Sequence, residues 1–275
     1  MGRELARLLS AQGCHVAMCD LGEAALAETK ALCEAVAPTG VVVTTHLCDV
    51  SQEVQVLAFR DAVMAGHQTD HVNLVFNNAG IGGGGSFLRN SRQEWEKTFD
   101  VCWYGVYYGC RAFVPLLVTA TEGHLVNTSS VNGFWASIGP ARPHTAYAAA
   151  KFAVKGFTEA LVTELRLHAP HVGVSVVMPG HIGTGIVANS AAALGRPDNA
   201  AITEISAAFR NSAPTTAEQA AGIILAGVRA GRWRILVGDD AEVLDQLVRD
   251  NPEEAYETSF VARIREQGML GGILG

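Results

Sequence analysis

The chain has 275 residues, of which 49% are hydrophobic and 17% charged, and this composition excludes a disordered protein because it supplies a large core. The net charge of −7 argues against a surface that binds nucleic acid or anionic lipid. No segment reaches the roughly 18 uninterrupted apolar residues of a membrane span, and the charged N-terminus is not a signal peptide. We therefore expect a cytoplasmic protein with reduced cysteines and no metal site.

Apolar periodicity predicts alternating strands and helices along the chain. The strands are short and apolar throughout, at 15–19, 41–46, 72–76, 124–128, 172–177 and 234–237. The helices carry apolar residues at helical spacing, at 2–12, 24–36, 51–65 (with Ser51 as N-cap), 92–118, 145–168, 217–230 and 240–268. The stretch 185–213 has no clear strand. Strands without polar alternation are typical of a parallel sheet with helices on both faces, so we predict an α/β, doubly wound single domain.

Two residues in the second long helix have the spacing of an acid–base pair. Tyr147 and Lys151 are four residues apart, so they project from the same helix face. An ammonium group at that position favours the phenolate, and we expect it to lower the tyrosine pKa from about 10. Tyr147 is therefore a candidate general acid/base.

Polar residues follow several predicted strands where each strand ends. Asp20, Asp49, Asn77–Gly80, Ser130 and the run Pro179–Thr184 all occupy such positions. A single polar residue after a strand is usually a turn residue. Because the carboxyl ends of parallel strands meet at one edge of a sheet, where open α/β sheets bind ligands, the whole set predicts a site.

This set of residues resembles the classical short-chain dehydrogenase/reductases, to about residue 238. The matching motifs are Asn77–Gly80, Asp49-Val50, Ser129-Ser130, the Tyr147 and Lys151 pair, and Pro179-Gly180 with Thr184. The resemblance implies a Rossmann-type sheet over residues 1–238, followed by a helical C-terminal extension over 239–275. It also implies a nicotinamide cofactor and hydride transfer between a secondary alcohol and a ketone.

The resemblance also implies roles for individual residues. Tyr147 would pass the proton, Ser130 would hydrogen-bond the substrate oxygen, and Lys151 would hold the nicotinamide ribose, which makes these three the catalytic residues. Thr184 and Ile182 would contact the carboxamide. The implied cofactor-binding residues are Gly2, Asp20, Asp49, Val50, Asn77, Ala79, Tyr147, Lys151, Pro179, Ile182 and Thr184.

Asp20 bears on the choice of cofactor. A carboxylate at the end of that strand can accept both ribose hydroxyls and would repel a 2′-phosphate, and no Arg or Lys follows in Leu21-Gly22-Glu23. The alternative is a helix N-cap aspartate. We expect NAD in preference to NADP.

The N-terminus departs from the family pattern. Only Gly2 can match the family's glycine-rich turn, and the first strand, which lies centrally in the family's sheet, has no counterpart. Without it, the strands ending at Asp20 and Asn77 would stand about 9.6 Å apart, too far to pair. Either the start site was chosen at an internal methionine, or the protein is truncated and has lost cofactor binding.

Two further departures concern the catalytic region. Cys102 stands where the family usually has an Asn that helps to hold a proton-relay water. A thiol is a weak hydrogen-bond donor and acceptor, so it is a poor substitute for the amide. Cys102 could equally be a packing residue of the core. The loop between Ser130 and Tyr147 is longer than usual. It carries apolar residues and an arginine, and we expect it on the substrate side of the site. The flexible loop Gly82–Gly85 is expected on the same side. The stretch Gly185–Ser212 is expected to form the lid. The loop residues in question are Phe134, Trp135, Pro140, Arg142 and Pro143.

We therefore predict an NAD-dependent dehydrogenase/reductase for a lipophilic secondary alcohol or ketone. The alternative is a catalytically silent Rossmann-like binding protein. A Rossmann-like methyltransferase is a distant third possibility, because its chemistry does not need the set of tyrosine, lysine and serine. The family implies a homodimer or homotetramer through the helices at 92–118 and 145–168, with residues after Gly238 adding to the contact.

Overall fold

The computed structural model describes residues 1–83, 85–137, 143–197 and 199–266, and in them strands and helices alternate. The strands are β1 (Val16–Asp20), β2 (Val43–Leu47), β3 (Leu74–Asn77), β4 (Gly123–Thr128), β5 (Val172–Pro179), β6 (Ile182–Gly183), β7 (Thr215–Thr216) and β8 (Arg234–Val237). The helices are α1 (Gly2–Ala11), α2 (Glu23–Val36), α3 (Glu53–His67), α4 (Arg92–Phe99), α5 (Gly105–Thr119), α6 (Thr145–His168), α7 (Ile186–Ala193), α8 (Ala200–Asn211), α9 (Ala217–Arg229), α10 (Asp239–Asp250) and α11 (Thr258–Glu266).

All strand pairs are parallel, as predicted, and the main sheet has the order β3-β4-β5-β8. Strands β1 and β2 form a separate parallel pair, and β6 pairs with β7. Within the described ranges, no backbone pairing joins β1 to β3. The described strands therefore form three separate parallel sheets, and β1 and β3 each pair with one neighbouring strand.

Apolar residues on both faces of the main sheet pack under helices, which makes the fold doubly wound and Rossmann-like. On β4, Leu125 belongs to a cluster with Val106 and Leu117 of α5, whereas its neighbour Val126 belongs to a cluster with Leu5 and residues of α9. Adjacent strand residues thus bury opposite faces, which is why Leu125 and Val126 are both apolar. The fold class predicted from the sequence is confirmed.

The predicted helix at 92–118 contains a break in its hydrogen-bonding pattern. Between α4 and α5, the residues Asp100–Tyr104 form a π-helical segment. Single π turns inside α-helices insert one extra residue and are frequent at functional sites. By length and composition alone the continuous helix Arg92–Thr119 could cross a membrane, but half of its most apolar window is buried in the fold, as in core helices.

Three sets of local predictions have different outcomes. Ser51 is not the N-cap of α3, because Gln52 holds that position and the Ser51 hydroxyl donates to the Asp49 carboxylate instead. The stretch 185–213, expected to have no clear strand, has none among its described residues and forms α7 and α8. Gly84, Pro140, Arg142 and the residues after 266, which complete the predicted glycine loop, substrate loop and C-terminal helix, lie outside the described residues.

Candidate active site

The serine, tyrosine and lysine predicted to carry catalysis meet at the carboxyl ends of the central strands. Ser130 follows β4, and its side chain lies near that of Tyr147 on α6, close enough to lower the tyrosine pKa in part. The Lys151 Nζ lies 5.5 Å from the centroid of the Tyr147 ring. Ser130 and Lys151 are both buried. The structure therefore brings all three together.

The pKa of Tyr147 does not move in the expected direction. Burial, and to a lesser degree the neighbouring Cys102, raises the pKa of Tyr147 above its usual value, and the nearby Ser130 side chain offsets only part of this. Burial also lowers the pKa of Lys151. The prediction that Lys151 lowers the tyrosine pKa is wrong for this state of the chain, because desolvation penalises both charged forms. Tyr147 is protonated at neutral pH.

Backbone contacts fix the lysine in place. The Lys151 Nζ donates to the Thr128 carbonyl at 2.8 Å, and the Lys151 carbonyl accepts from the Ser129 hydroxyl at 2.7 Å. A Cβ atom at Gly133 would lie 2.9 Å from that same carbonyl, so only glycine allows the loop after β4 to approach α6 this closely. The end of β4 and the first turns of α6 are therefore one rigid unit.

The Ser130 hydroxyl has a defined orientation. Its Oγ accepts from the Asn132 backbone N–H at 3.1 Å, so its own proton is free to be donated. Donation to a substrate oxygen next to Tyr147 needs this orientation. A residue that the sequence analysis missed lies close by: the His144 ring is 4.7 Å from the Tyr147 ring, and burial lowers the His144 pKa to about 4, so the imidazole is neutral.

Cys102 lies beside the lysine, in the π-helical segment. Its thiol donates to the Ile81 carbonyl at 3.2 Å and accepts from the Ile81 N–H at 3.4 Å. A Cβ atom at Gly80 would lie 3.5 Å from the Lys151 Nζ and 3.7 Å from the Cys102 Sγ, so the two side chains flank that glycine. The thiol thus hydrogen-bonds both backbone groups of the buried Ile81. The sequence analysis considered only the thiol's weakness in holding a water and did not predict these two bonds.

Asp20 lies exposed at the end of β1, and one of its carboxylate oxygens accepts from the Gly22 N–H at 3.0 Å. The N-cap of α2 is Gly22, and no side chain caps that helix. The alternative interpretation of Asp20 as a helix cap is therefore wrong. Its second carboxylate oxygen faces solvent as an acceptor.

The Asp49 carboxylate is hydrogen-bonded to one ammonium group and one hydroxyl. Its carboxylate accepts from the Lys97 Nζ at 2.8 Å and from the Ser51 hydroxyl at 2.6 Å. Burial alone would raise the pKa of Asp49, but these hydrogen bonds outweigh it, and the pKa lies below its usual value. The ion pair joins α4 to the loop after β2.

Two glycines of α5 allow that helix to press against predicted cofactor residues. A Cβ atom at Gly105 would lie 2.8 Å from a Val50 methyl, and one at Gly109 would lie 2.9 Å from the Asn77 Cγ. Asn77 in turn donates to the buried Asn127 at 2.8 Å. Glycines four residues apart in an apolar helix were the sequence signal for this close approach, and the sequence analysis did not use it.

The Pro179–Thr184 loop is anchored at its centre. The His181 N–H donates to the Asp240 carboxylate at 2.6 Å, and the His181 ring donates to the Phe209 carbonyl at 2.7 Å. Ile182 is buried in β6, and the Thr184 N–H donates to the Ile182 carbonyl at 2.8 Å. The loop is thus tied both to α8 and to α10.

Comparisons with known proteins decide the family. The sequence profile of the short chain dehydrogenases matches residues 1–195. This chain is a short-chain dehydrogenase. A Mycobacterium tuberculosis protein named as an oxidoreductase, SadH, is 38% identical over 249 residues, which cover 90% of this chain and 86% of that protein.

Solved structures agree with the assignment of this short-chain dehydrogenase. A short-chain dehydrogenase/reductase from Burkholderia phymatum in complex with NAD superposes with a TM-score of 0.79 and 30% identity, covering 92% of this chain and 90% of that one. A metagenomic short-chain oxidoreductase in complex with NADP superposes with a TM-score of 0.57 and 29% identity, covering 70% and 85%. Relatives thus carry either nicotinamide dinucleotide.

The donor and acceptor set of this dehydrogenase fits such a dinucleotide at both ends. The Asn78 Oδ1 is buried without a partner, and a Cβ atom at Gly2 would lie 2.9 Å from the Asn78 Nδ2, so a polar cradle lies between α1 and the end of β3. Asp20 offers a carboxylate to a ribose diol, and Lys151 offers an ammonium at the other end. Among the described residues, no group of three or more His, Cys, Asp or Glu side chains could hold a metal ion.

Proposed function

We propose that this short-chain dehydrogenase transfers hydride between NAD(H) and a lipophilic secondary alcohol or ketone, with Tyr147 as general acid/base. The observation that carries the proposal is that the Lys151 ammonium lies 5.5 Å from the Tyr147 ring, with Ser130 close enough to act on the tyrosine pKa. A bound nicotinamide dinucleotide supplies or accepts the hydride. Asp20, Asp49, Val50, Asn77, Ala79 and Gly2 would hold its adenosine half, and Lys151, Pro179, Ile182 and Thr184 its nicotinamide half.

The proton is handled by the residues of the chain. In ketone reduction, the Ser130 hydroxyl donates a hydrogen bond to the carbonyl oxygen, and Tyr147 gives that oxygen its proton. The raised pKa of Tyr147 keeps the phenol protonated, which is the form needed for this direction. Lys151, held by the Thr128 carbonyl, stabilises the phenolate that forms.

Asp20 supports the preference for NAD. Its exposed carboxylate would accept hydrogen bonds from a ribose diol, whereas it would repel a 2′-phosphate. The nearest basic residue in sequence after it is Lys30, in the second half of α2.

Apolar side chains near Tyr147 support a lipophilic substrate. Tyr147 packs against a cluster that contains Ile81 and, from the lid, Ala193 and Leu194. The residues from which we inferred this substrate class do not carry it: Trp135 is fully buried against α11, and Phe134 packs on that same cluster. The proposal therefore rests on the lid rather than on the loop after Ser130.

The lack of backbone pairing between β1 and β3 in the described ranges supports a further proposal, that tight cofactor binding needs another strand between them with a glycine turn before α1. The same observation favours the alternative function, a silent binding protein. Extending the chain with any in-frame residues encoded upstream of Met1 separates the two. We expect the extended chain to be more stable and to bind NAD more tightly. Equal affinity of both chains would contradict the proposed role of Gly2.

The proposed assembly is a homodimer or homotetramer formed through α4, α5 and α6. Aromatic rings line these helices: Tyr104 stacks on Tyr108 at 5.5 Å, and Trp103 contacts Phe157 of α6 at 5.4 Å. We further propose a cytoplasmic enzyme that acts on small molecules and binds neither nucleic acid nor membrane, in keeping with the net charge of −7.

The test is a panel of ketones and secondary alcohols, followed by NADH absorbance. For a substrate that is turned over, Tyr147→Phe should lower kcat by about 10²–10⁴-fold while leaving NADH affinity and the circular dichroism spectrum unchanged. Tyr108→Phe, which removes a hydroxyl from α5, is the matched control. A loss below about tenfold in Tyr147→Phe would contradict the assignment.

A further inference from the structure

The C-terminal part of the chain is connected to Ser130 by a series of hydrogen bonds. The Ala255 carbonyl, between α10 and α11, accepts from the Trp135 indole N–H at 2.7 Å. The Trp135 carbonyl accepts from the Asn132 side-chain Nδ2 at 3.0 Å. The Asn132 backbone N–H donates to the Ser130 Oγ at 3.1 Å. Three hydrogen bonds thus connect residue 255 to the serine hydroxyl.

These hydrogen bonds lie away from water. Trp135 is 0%, Ala255 1% and Asn132 5% exposed, so each bond is made where an unpaired partner would be costly. The Trp135 ring contacts the Phe260 ring of α11 at 5.7 Å, in an apolar cluster that includes Val131 and Leu244. The indole is therefore wedged between the loop after β4 and the two C-terminal helices.

Further contacts fasten both ends of the C-terminal segment to the site. The Asn132 Nδ2 also donates to the Ser137 carbonyl at 3.2 Å, and the Ala136 N–H donates to the Tyr256 hydroxyl at 3.1 Å. At the start of α10, Asp240 accepts from the His181 N–H at 2.6 Å. The segment 239–266 thus holds the serine loop and the Pro179–Thr184 loop in one arrangement.

We propose that segment 239–266 is a clasp, and that Trp135 and Asn132 are positioning residues that hold Ser130 through it with its proton directed at the substrate oxygen. This inference rests on the proposed function of Ser130. Without the Asn132 N–H, the Ser130 Oγ could rotate among its three staggered rotamers, and only one of them presents the proton correctly. The clasp should therefore affect kcat and leave the adenosine half of the cofactor site unchanged.

Two substitutions test the clasp. Trp135→Phe keeps an aromatic ring against Phe260 and removes only the indole N–H. Asn132→Ala removes the side-chain amide that donates to the Trp135 and Ser137 carbonyls, and keeps the backbone N–H that donates to Ser130. We expect kcat to fall on the order of tenfold in Trp135→Phe and further in Asn132→Ala, with NADH affinity within about twofold of the wild type. Trp233→Phe, at a 40% exposed site, is the control and should match the wild type.

Amide hydrogen exchange of residues 130–137 gives a readout that does not depend on turnover. Exchange in this segment should quicken about tenfold in Trp135→Phe and stay unchanged in Trp233→Phe. A lower melting temperature with unchanged kcat, or unchanged exchange, would mean that Trp135 is a packing residue and would overturn the clasp. If the wild type turns over no substrate, the proposed function fails, and the exchange rates alone decide whether the clasp exists.

Discussion

Gly109→Ala should destabilise the protein although alanine is the better helix former. In a helix interior the change alone gains about 1 kcal/mol. The new methyl group, however, would lie 2.9 Å from the Asn77 Cγ and closer still to its Oδ1. Asn77 must then move, which strains the packing by about 1–3 kcal/mol and breaks its hydrogen bond to the buried Asn127 at a cost of about 1–3 kcal/mol. The expected net loss is about 1–5 kcal/mol.

Gly156→Ala in α6 is the matched control, because nothing lies within 4 Å of its new methyl group. That variant should equal the wild type or exceed its stability by up to about 1 kcal/mol. Urea denaturation of both variants gives the two free energies of unfolding, and NADH titration should show weaker binding only in Gly109→Ala. Equal stability of the two variants would refute the argument that α5 approaches Asn77 through its glycine.

Substitutions at three further positions test individual contacts. Asp20→Ala should weaken NADH binding and reduce the ratio of NADH affinity to NADPH affinity. If competition titrations give an unchanged ratio of the two affinities, Asp20 lies outside the cofactor site. Cys102→Ala should cost about 1–3 kcal/mol of stability by leaving the Ile81 N–H and carbonyl unpaired, whereas Cys102→Ser should keep both bonds, and equal melting temperatures would contradict this. The pKa of Asp49 is lowered in the folded state. The ionised Asp49 therefore adds to the free energy of unfolding above its unfolded pKa of about 4, and this stabilisation is lost as the pH falls through the pKa of the folded state. Lys97→Met should therefore cost about 0.2–1 kcal/mol at pH 7 and flatten the acid limb of the stability curve.

Most of the elements could be predicted because their signals are local. The helix Thr145–His168 and the strand Arg234–Val237 have the bounds that periodicity indicated. The grouping of Ser130 with Tyr147 and Lys151 was predictable as well, because a parallel sheet collects the carboxyl ends of its strands at one edge.

Contacts between distant parts of the chain could not be predicted. Lys97 and Asp49 are 48 residues apart, and Trp135 and Ala255 are 120 apart, so no spacing rule reveals either contact. The pKa of Tyr147 was predicted in the wrong direction because the sequence shows the neighbouring ammonium but not the burial that outweighs it. The hydrogen bonds between Cys102 in the π-helical segment and Ile81 are likewise a tertiary contact, 21 residues apart in sequence.

The division of the sheet has a consequence for how the molecule opens. Because no backbone pairing within the described ranges joins β1 to β3, the unit formed by β1, β2 and α2 is attached to the rest by side-chain packing and by side-chain hydrogen bonds, such as those from Arg3 to Thr29 and Glu28. Such side-chain contacts separate more easily than the backbone hydrogen bonds of a continuous sheet. This unit, which contains Asp20, should therefore unfold as its own foldon before the main sheet and be the first region open to a protease.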